Sequence, residues 1–326
     1  AGGTREALSA LIDAVESPVA VAQPARLPSE TDHQVFVRVV AETQWIAYPL
    51  AAPGCSTSFV ASPKAGKSTF LLAMCDAIVS GRPWLGKPTK QSAVVYLTEE
   101  GPTTFRHAIQ RANIRSPDLH VTFYGETLQF GTYAETMLRA RDHVRALKAQ
   151  LVIVDTFSTW ARITGEEENQ AGKRLEAFSH IRPILSDGAG VILVGHTRKS
   201  GGDVIDSGRG SGALAGAVDM VADYHRNDTQ VTQRELRVIG RLDGLPDESL
   251  VLNRDQDSGR FELVTRESIS TDIRAKVLEA VLRVGTRGMT LAEIKKTVDH
   301  RYSDVAARVR SLEQSGELVA ITPKGL

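Results

Sequence analysis

A short loop that combines glycine, lysine and serine offers the clearest chemistry in this sequence. The segment Gly66-Lys67-Ser68-Thr69 follows the apolar run 58–61 and precedes an amphipathic stretch. A loop at the N-terminus of a helix presents backbone N–H groups and the positive end of the helix dipole, and both attract phosphate. We therefore predict that Lys67 contacts the phosphates of ATP and that the Ser68 hydroxyl binds Mg²⁺.

The predicted phosphate cradle extends to both sides of this loop. It departs from the pattern G-x-x-x-x-G-K-[ST] only at the first position, where Ala61 replaces glycine. Alanine excludes only a backbone with positive φ at that position. The nucleotide-binding residues are predicted to be Ser62, Pro63, Lys64, Ala65, Gly66, Lys67, Ser68 and Thr69.

Three other apolar runs end in side chains that suit the same chemistry. One run ends at Asp155, which we predict to bind the Mg²⁺ together with Ser68. Another ends in two carboxylates, of which Glu100 is our choice for the base that orients the attacking water. Glu99 would then be structural, or both could be solvated. A third run ends at His196, which is placed to hydrogen-bond the γ-phosphate or to be a structural histidine.

These candidates depend on a particular arrangement of strands. Apolar runs alternate with helical segments, which predicts an α/β fold with a mostly parallel sheet. In such sheets ligands bind at the carboxyl ends of the strands, where the candidate residues lie. The predicted strands are Ser58–Ala61, Ala93–Leu97, His120–Tyr124, Leu151–Val154, Val191–Gly195, Met220–His225 and Leu236–Ile239.

Two smaller regions flank the predicted ATPase domain of residues 35–266. Residues 1–34 predict a short helix, over 4–17, and a proline-broken linker. Residues 267–326 predict three short helices and a two-strand ending at 317–321, the outline of a winged helix-turn-helix. Residues 271–326 contain ten Lys/Arg and seven Asp/Glu, and this excess of positive charge favours contact with DNA. A docking or oligomerisation module is the alternative.

Composition excludes several other classes of protein. The 326 residues carry no formal net charge, which excludes a globally basic surface. The only cysteines, Cys55 and Cys75, lack the spacing of a disulfide framework or a metal site, as in a reducing compartment. No apolar run approaches the ~18 residues of a membrane span, and no secretory signal pattern is present. We expect a cytoplasmic protein without a membrane partner.

Taken together, the motifs resemble those of the RecA-like ATPases of the plasmid RepA hexameric-helicase type, over about residues 35–266. The resemblance implies ATP sites between the subunits of a homo-oligomer, a hexameric ring, with an arginine finger from the neighbour. Arg241 matches the position of the finger; Arg209, also a candidate nucleotide contact, is the second choice. The segments that carry the resemblance are Ala61–Thr69, Val95–Glu100, Leu151–Asp155, His196–Lys199 and Arg209–Leu214.

Three functions are compatible with this pattern. An oligomeric DNA-dependent ATPase would act as a helicase or translocase in DNA replication or mobile-element maintenance, with single-stranded DNA at the core and duplex at the winged helix. A recombinase-like or recombination-mediator ATPase shares every ATP-site residue and differs in its DNA loops. In a non-motor nucleotide switch, hydrolysis would only reset DNA affinity. The first is the prediction, and the other two remain open.

Overall fold

The computed structural model describes most of the chain from residue 42 onward. The described ranges are 42–62, 64–163, 170–196, 212–226, 233–255, 259–264, 266–298 and 302–319, with residues 29, 31 and 34 as isolated positions. Contacts divide the chain into residues 1–41 and residues 42–326, and the elements below belong to the second unit. The helix predicted over residues 4–17, Pro63 and Arg209 lie outside the described residues. The boundary at residues 266 and 267 stays a prediction.

A nine-stranded sheet organises the described part of residues 42–263. Its spatial order is β3-β2-β4-β5-β1-β6-β7-β8-β9. The first six strands in this order pair in parallel and the last three pair antiparallel. The strands are β1 (Ser56–Ala61), β2 (Val94–Thr98), β3 (Leu119–Phe123), β4 (Leu151–Asp155), β5 (Gly190–His196), β6 (Met220–Arg226), β7 (Gln233–Gly240), β8 (Leu250–Arg254) and β9 (Phe261–Leu263).

The prediction of an α/β fold with a mostly parallel sheet is confirmed. Each of the seven predicted strands coincides with one of β1 to β7. The sequence analysis missed β8 and β9, which are short strands at the antiparallel edge of the sheet. Each has a single buried side chain, Leu252 in β8 and Phe261 in β9, so the continuous buried run of a parallel strand is missing.

Helices connect these strands. Those of residues 67–217 are α1 (Lys67–Ser80), α2 (Pro102–Ala112), α3 (Tyr124–Thr127), α4 (Tyr133–Leu147), α5 (Phe157–Trp160), α6 (Ala171–Ser179), α7 (Arg182–Ser186) and α8 (Gly212–Ala217). The C-terminal helices are α9 (Arg266–Val284), α10 (Leu291–Thr297) and α11 (Tyr302–Gln314). In the portion of the chain that the structure describes, no helix has the length and apolar character needed to cross a membrane.

The sheet is buried on both faces, as the apolar run of β4 illustrates. Leu151 and Ile153 belong to the core that includes α1, whereas Val152 and Val154 belong to the core on the other face. All four side chains are at most 1% exposed. A strand covered on both sides reads as a continuous apolar run, which is why the sequence identifies it. Such burial leaves only the strand ends for polar chemistry.

An aromatic cluster anchors α1 to the sheet. The Phe70 ring lies 4.6 Å from that of Tyr224 and 5.9 Å from that of Phe59, centroid to centroid, in stacked arrangements. Phe261 meets the same ring edge-on at 5.1 Å. Phe70 is fully buried and lies in the first turn of α1. The cluster therefore fixes the end of the helix that carries Lys67.

The three C-terminal helices are present, with an apolar cluster of their own. Thr290 and Glu293 form a capping box at the start of α10. Leu282 of α9 is 77% exposed. The cluster comprises Ile273, Val277, Ile294, Val298, Val305 and Leu312.

The strand predicted over residues 317–321 is wrong for its described part. Residues 317–319 form no strand. The N–H groups of Glu317 and Leu318 both donate to the carbonyl of Leu312, which closes the end of α11. These amides are therefore not available for a β-ladder. Residues 320 and 321 lie outside the described ranges, and the winged-helix assignment stays a prediction.

We expect Phe70→Ala to lower the free energy of unfolding by about 3–5 kcal/mol, because it removes a fully buried ring from a packed cluster. Urea denaturation monitored by circular dichroism measures this cost. Leu138→Ala is the control, since Leu138 is 54% exposed on α4 and should change stability by about 0.5 kcal/mol or less. Equal losses in the two variants would contradict the role assigned to the cluster.

Candidate ATP site

The predicted phosphate loop joins β1 to α1. Ala65 N–H donates to the carbonyl of Ser62 at 3.1 Å, and Phe70 N–H donates to the carbonyl of Gly66 at 3.0 Å. Gly66 caps α1 with φ of 93°, in the left-handed region. A side chain at this position would strain the backbone, so glycine is required here. Lys67 and Ser68 therefore begin the helix directly beyond the loop.

The alanine at the first position of the motif is compatible with this geometry. Ala61 is the last residue of β1, and it pairs with His196 on β5 and Tyr224 on β6. It is fully buried between these strands. A strand residue has negative φ, which alanine adopts without strain. The replacement of glycine therefore leaves the loop intact.

The Ser68 hydroxyl lies between two carboxylates. Its Oγ is 3.4 Å from Oδ2 of Asp155 and 3.4 Å from Oε1 of Glu100. The phenol of Tyr96 donates to the same Asp155 oxygen at 2.8 Å. Thr98 fixes the backbone next to the second carboxylate, because its Oγ1 accepts the backbone N–H of Glu100 at 3.1 Å. The ends of β2 and β4 thus meet the start of α1 at one point.

This donor set fits Mg²⁺. A hydroxyl and carboxylates are hard oxygen ligands, and Mg²⁺ in nucleotide sites binds to one or two carboxylates together with phosphate oxygens. In such a site the ion neutralises charge on the phosphates. Ser68 and Asp155 are the residues that would hold it. Glu100 lies at the same hydroxyl, where it could orient a water molecule instead.

The pKa values of the two carboxyls reflect the crowding of negative charge. Burial raises the pKa of Asp155, although the charge of Lys67 and the hydrogen bond from Tyr96 oppose this rise. Burial and then the charge of Asp155 raise the pKa of Glu100, while the hydrogen bond from Ser68 opposes the rise. A raised pKa improves a carboxylate as a proton acceptor near neutral pH. A bound cation would relieve the repulsion between the two groups.

Glu99 occupies a different environment from that of its neighbour. Its carboxylate accepts hydrogen bonds from Thr156, at 2.6 Å, and from Thr159. Partial burial acts to raise the pKa of Glu99, but these hydrogen bonds and the charge of Lys67 lower it below its ordinary value. Glu99 therefore links the end of β2 to α5. That geometry agrees with a structural role and leaves Glu100 as the predicted base.

His196 lies beside the lysine of the phosphate loop. Nζ of Lys67 is 3.4 Å from Nδ1 and 3.5 Å from Nε2 of the imidazole. The proximity follows from the pairing of β5 with β1, which sets His196 opposite Ala61. Its predicted role as a sensor of the γ-phosphate requires this position.

A comparison with protein families decides the identity of this domain. Residues 22–202, more than half of the chain, match the family model AAA_25, described as an AAA domain. The chain belongs to this family. The match covers Lys67, Ser68, Glu100, Asp155 and His196. A search of curated proteins found no match. Family and geometry together support a nucleotide-dependent ATPase of the P-loop type.

One predicted residue lies far from this AAA-domain site. Arg241 follows β7, whose last residue, Gly240, pairs with Met220 at the start of β6. Met220 in turn pairs with Thr57, four residues before the end of β1, or about 13 Å along the strand. The Arg241 guanidinium donates to the carbonyl of Gly216 at 2.7 Å. Arg241 thus lies at the edge of the sheet opposite the phosphate loop.

Another arginine, which the sequence analysis did not single out, contacts the loop of the AAA domain. Nε of Arg234 donates to the carbonyl of Ala65 at 2.8 Å. Arg234 lies on the part of β7 that precedes the predicted strand Leu236–Ile239. A prediction from the sequence that β6 and β7 form a hairpin would have placed Arg234 near the phosphate loop.

We predict that Glu100→Gln lowers kcat of ATP hydrolysis by about 10²- to 10⁴-fold with ATP affinity retained, because the amide fills the same space but cannot accept the proton. Steady-state ATPase assays and nucleotide titrations measure the two quantities. Glu99→Gln is the matched control and should retain most of kcat. If Glu99→Gln is inactive and Glu100→Gln is active, the base is the other carboxylate.

A second prediction concerns the cost of burying Asp155. A carboxyl whose pKa is higher in the folded state favours unfolding when it ionises, so this contribution grows as pH rises from the unfolded pKa through the folded one. Without Mg²⁺ and nucleotide, Asp155→Asn should therefore raise Tm at pH 7. The gain should vanish below pH of about 3.9, where Asp is protonated in both states.

Thermal unfolding between pH 3 and pH 8 measures this difference. Asp118→Asn is the control, because it replaces an exposed side chain and should change Tm little at pH 7. A lower Tm for Asp155→Asn at pH 7 would show that the ionised carboxylate stabilises the apo protein. ATP hydrolysis should be lost in the same variant, because a metal ligand is missing.

Proposed function

We propose that this protein is an oligomeric DNA-dependent ATPase of the RecA-like plasmid RepA type, acting as a helicase or translocase in DNA replication or mobile-element maintenance. The P-loop site supplies the hydrolysis. The proposal adds three elements to it: a homo-oligomer, a hexameric ring; a finger residue in trans; and DNA as the partner that the hydrolysis serves.

The observation that carries the proposal is the position of Arg241. Its guanidinium lies at the amino edge of the parallel strands, whereas Lys67 and Ser68 lie at the carboxyl edge. Arg241 cannot reach the phosphates bound by its own subunit at this separation. If Arg241 contacts a nucleotide phosphate, that phosphate belongs to the site of a neighbouring subunit, as with an arginine finger in trans.

The residues of one subunit would carry out the remaining steps. Backbone N–H groups of the loop and Lys67 hold the phosphates, and Ser68 with Asp155 holds the metal ion. Glu100 accepts the proton of the attacking water. His196, in contact with Lys67, responds to loss of the γ-phosphate. β5 ends at His196, and the residues that follow it in the chain would transmit the loss of the γ-phosphate.

Basic side chains on the C-terminal helices support contact with duplex DNA. Lys295 and Lys296 lie in the last turn of α10, and Arg310 is exposed on α11. On the adjacent α9, Lys276 pairs with Asp272, Arg283 with Glu279, and Arg274 with Glu317 beyond the end of α11. Lys295, Lys296 and Arg310 therefore lie on the helix pair that a helix-turn-helix presents to DNA. Arg301 lies outside the described residues.

The two alternatives keep the same ATP site. A recombinase-like or recombination-mediator ATPase would exchange strands without unwinding a duplex end. A non-motor switch would bind duplex DNA at particular sequences. Strand-separation, strand-exchange and footprinting assays with ATP distinguish the three functions.

The decisive experiment measures ATP hydrolysis in mixed oligomers, with and without a single-stranded oligonucleotide. Arg241→Ala should lower kcat by about 10³-fold or more with ATP affinity retained, because a finger acts on the transition state. Mixing it with Glu100→Gln subunits should restore activity at interfaces that join an intact Glu100 to an intact Arg241. Wild-type activity should rise when the oligonucleotide is added.

Arg237→Ala is the control, because Arg237 is an exposed arginine on the same strand and should keep full activity. No recovery in a preparation shown to exchange subunits would refute the finger in trans. Recovery without any response to DNA would refute the DNA-dependent function and retain the oligomeric ATPase.

A further inference from the structure

The start of β7 lies beside the phosphate loop. Arg234 pairs with Arg226 on β6, two residues beyond the pair of Leu236 and Tyr224. Tyr224 in turn pairs with Ala61, the last residue of β1. The antiparallel return of β7 therefore brings Arg234 to the carboxyl edge of the parallel strands, where β1 enters the loop.

Several contacts hold the guanidinium of Arg234 against this loop. Nε donates to the carbonyl of Ala65 at 2.8 Å, and Nη1 donates to the carbonyl of Gln233 at 2.8 Å. A Cβ placed on Gly66 would lie 3.9 Å from Nη2. Burial raises the pKa of Tyr224, and the charge of Arg234 opposes that rise, which places the cation near the phenol as well. The side chain is half-buried and held at both its Nε and Nη1 atoms.

The contact with the Ala65 carbonyl has a geometric consequence. The peptide between Ala65 and Gly66 is trans and planar, so its C=O and N–H groups point in opposite directions. A donor that holds the carbonyl on one side of the loop therefore turns the Gly66 N–H toward the opposite side. Backbone N–H groups on the inside of such a loop bind phosphate oxygens. The same contact also polarises the peptide, which makes its N–H a better donor.

We propose that Arg234 is a positioning residue that orients the Gly66 N–H toward the phosphates of the bound nucleotide. Arg234 acts through the Ala65 carbonyl and does not touch the nucleotide itself. The inference rests on the P-loop ATP site and is independent of DNA and of oligomerisation. The ligand class is a nucleoside di- or triphosphate, because the N–H contributes to binding before any bond is broken.

The test compares Arg234→Gln with wild type in the absence of DNA. Titration with ATP and with ADP should show that affinity for both falls about tenfold, because an oriented charge-assisted hydrogen bond is lost from the loop. The kcat at saturating ATP should change less than twofold, since the positioned N–H serves bound substrate and transition state alike. Arg234→Lys keeps a cationic donor and should recover part of the affinity.

Two controls separate this role from others. Arg237→Gln removes an exposed arginine of the same strand and should leave affinity unchanged. Lys67→Ala tests the ATP site itself: normal binding in that variant would reject the phosphate loop, whereas loss there with normal binding in Arg234→Gln would reject only the positioning role.

Two further outcomes overturn the proposal. A large fall in kcat with unchanged affinity would make Arg234 an arginine finger of its own subunit. A fall in the Tm of the apo protein with unchanged nucleotide affinity would make Arg234 a brace for the β6–β7 pair and nothing more.

Discussion

The parallel pairing of β2, β4, β5 and β1 is the constraint on which the ATP site depends. In these registers the last residues of β4 and β2, Asp155 and Thr98, lie opposite one another, as do Ala61 and His196 on β1 and β5. Residues that are 30 to 130 positions apart in the chain therefore meet around Ser68 and Lys67. A shift of one residue in any pairing would turn the side chains to the other face of the sheet.

The site combines this rigid frame with an unfavourable distribution of charge. Asp155 is 4% exposed, and its carboxylate lies with that of Glu100 at a single hydroxyl. Burial and repulsion raise the pKa of both groups, so the apo site is electrostatically costly at neutral pH. The apolar cores on both faces of the sheet compensate for this cost. The same features prepare the site for a cation and a phosphate, which is the usual trade between stability and activity.

One strand connects the two arginines discussed above. Arg234 lies near the start of β7, at the phosphate loop, and Arg241 lies just past its end, at the opposite edge of the sheet. Seven residues of extended chain separate them, or about 23 Å. If the finger acts in trans, β7 joins the ATP site of its own subunit to that of a neighbour.

The sequence alone was sufficient to predict the phosphate loop, the seven strands β1 to β7 and the α/β class. Those features are local: a loop of fixed residue types follows a buried apolar run, and parallel strands covered on both faces carry continuous apolar residues. The choice of Glu100 over Glu99 stays a prediction, to which the structure adds the two threonines that hold Glu99.

Only the tertiary structure shows the contacts that depend on strand order and on the antiparallel pairing of β6 with β7. The contact of Arg234 with Ala65 joins positions 169 residues apart, and it becomes visible only once β7 is paired with β6. The same holds for Arg241, whose distance from its own phosphate loop follows from the direction of β7. Residue types and spacing determine local chemistry, whereas contacts between distant residues require the register of the whole sheet.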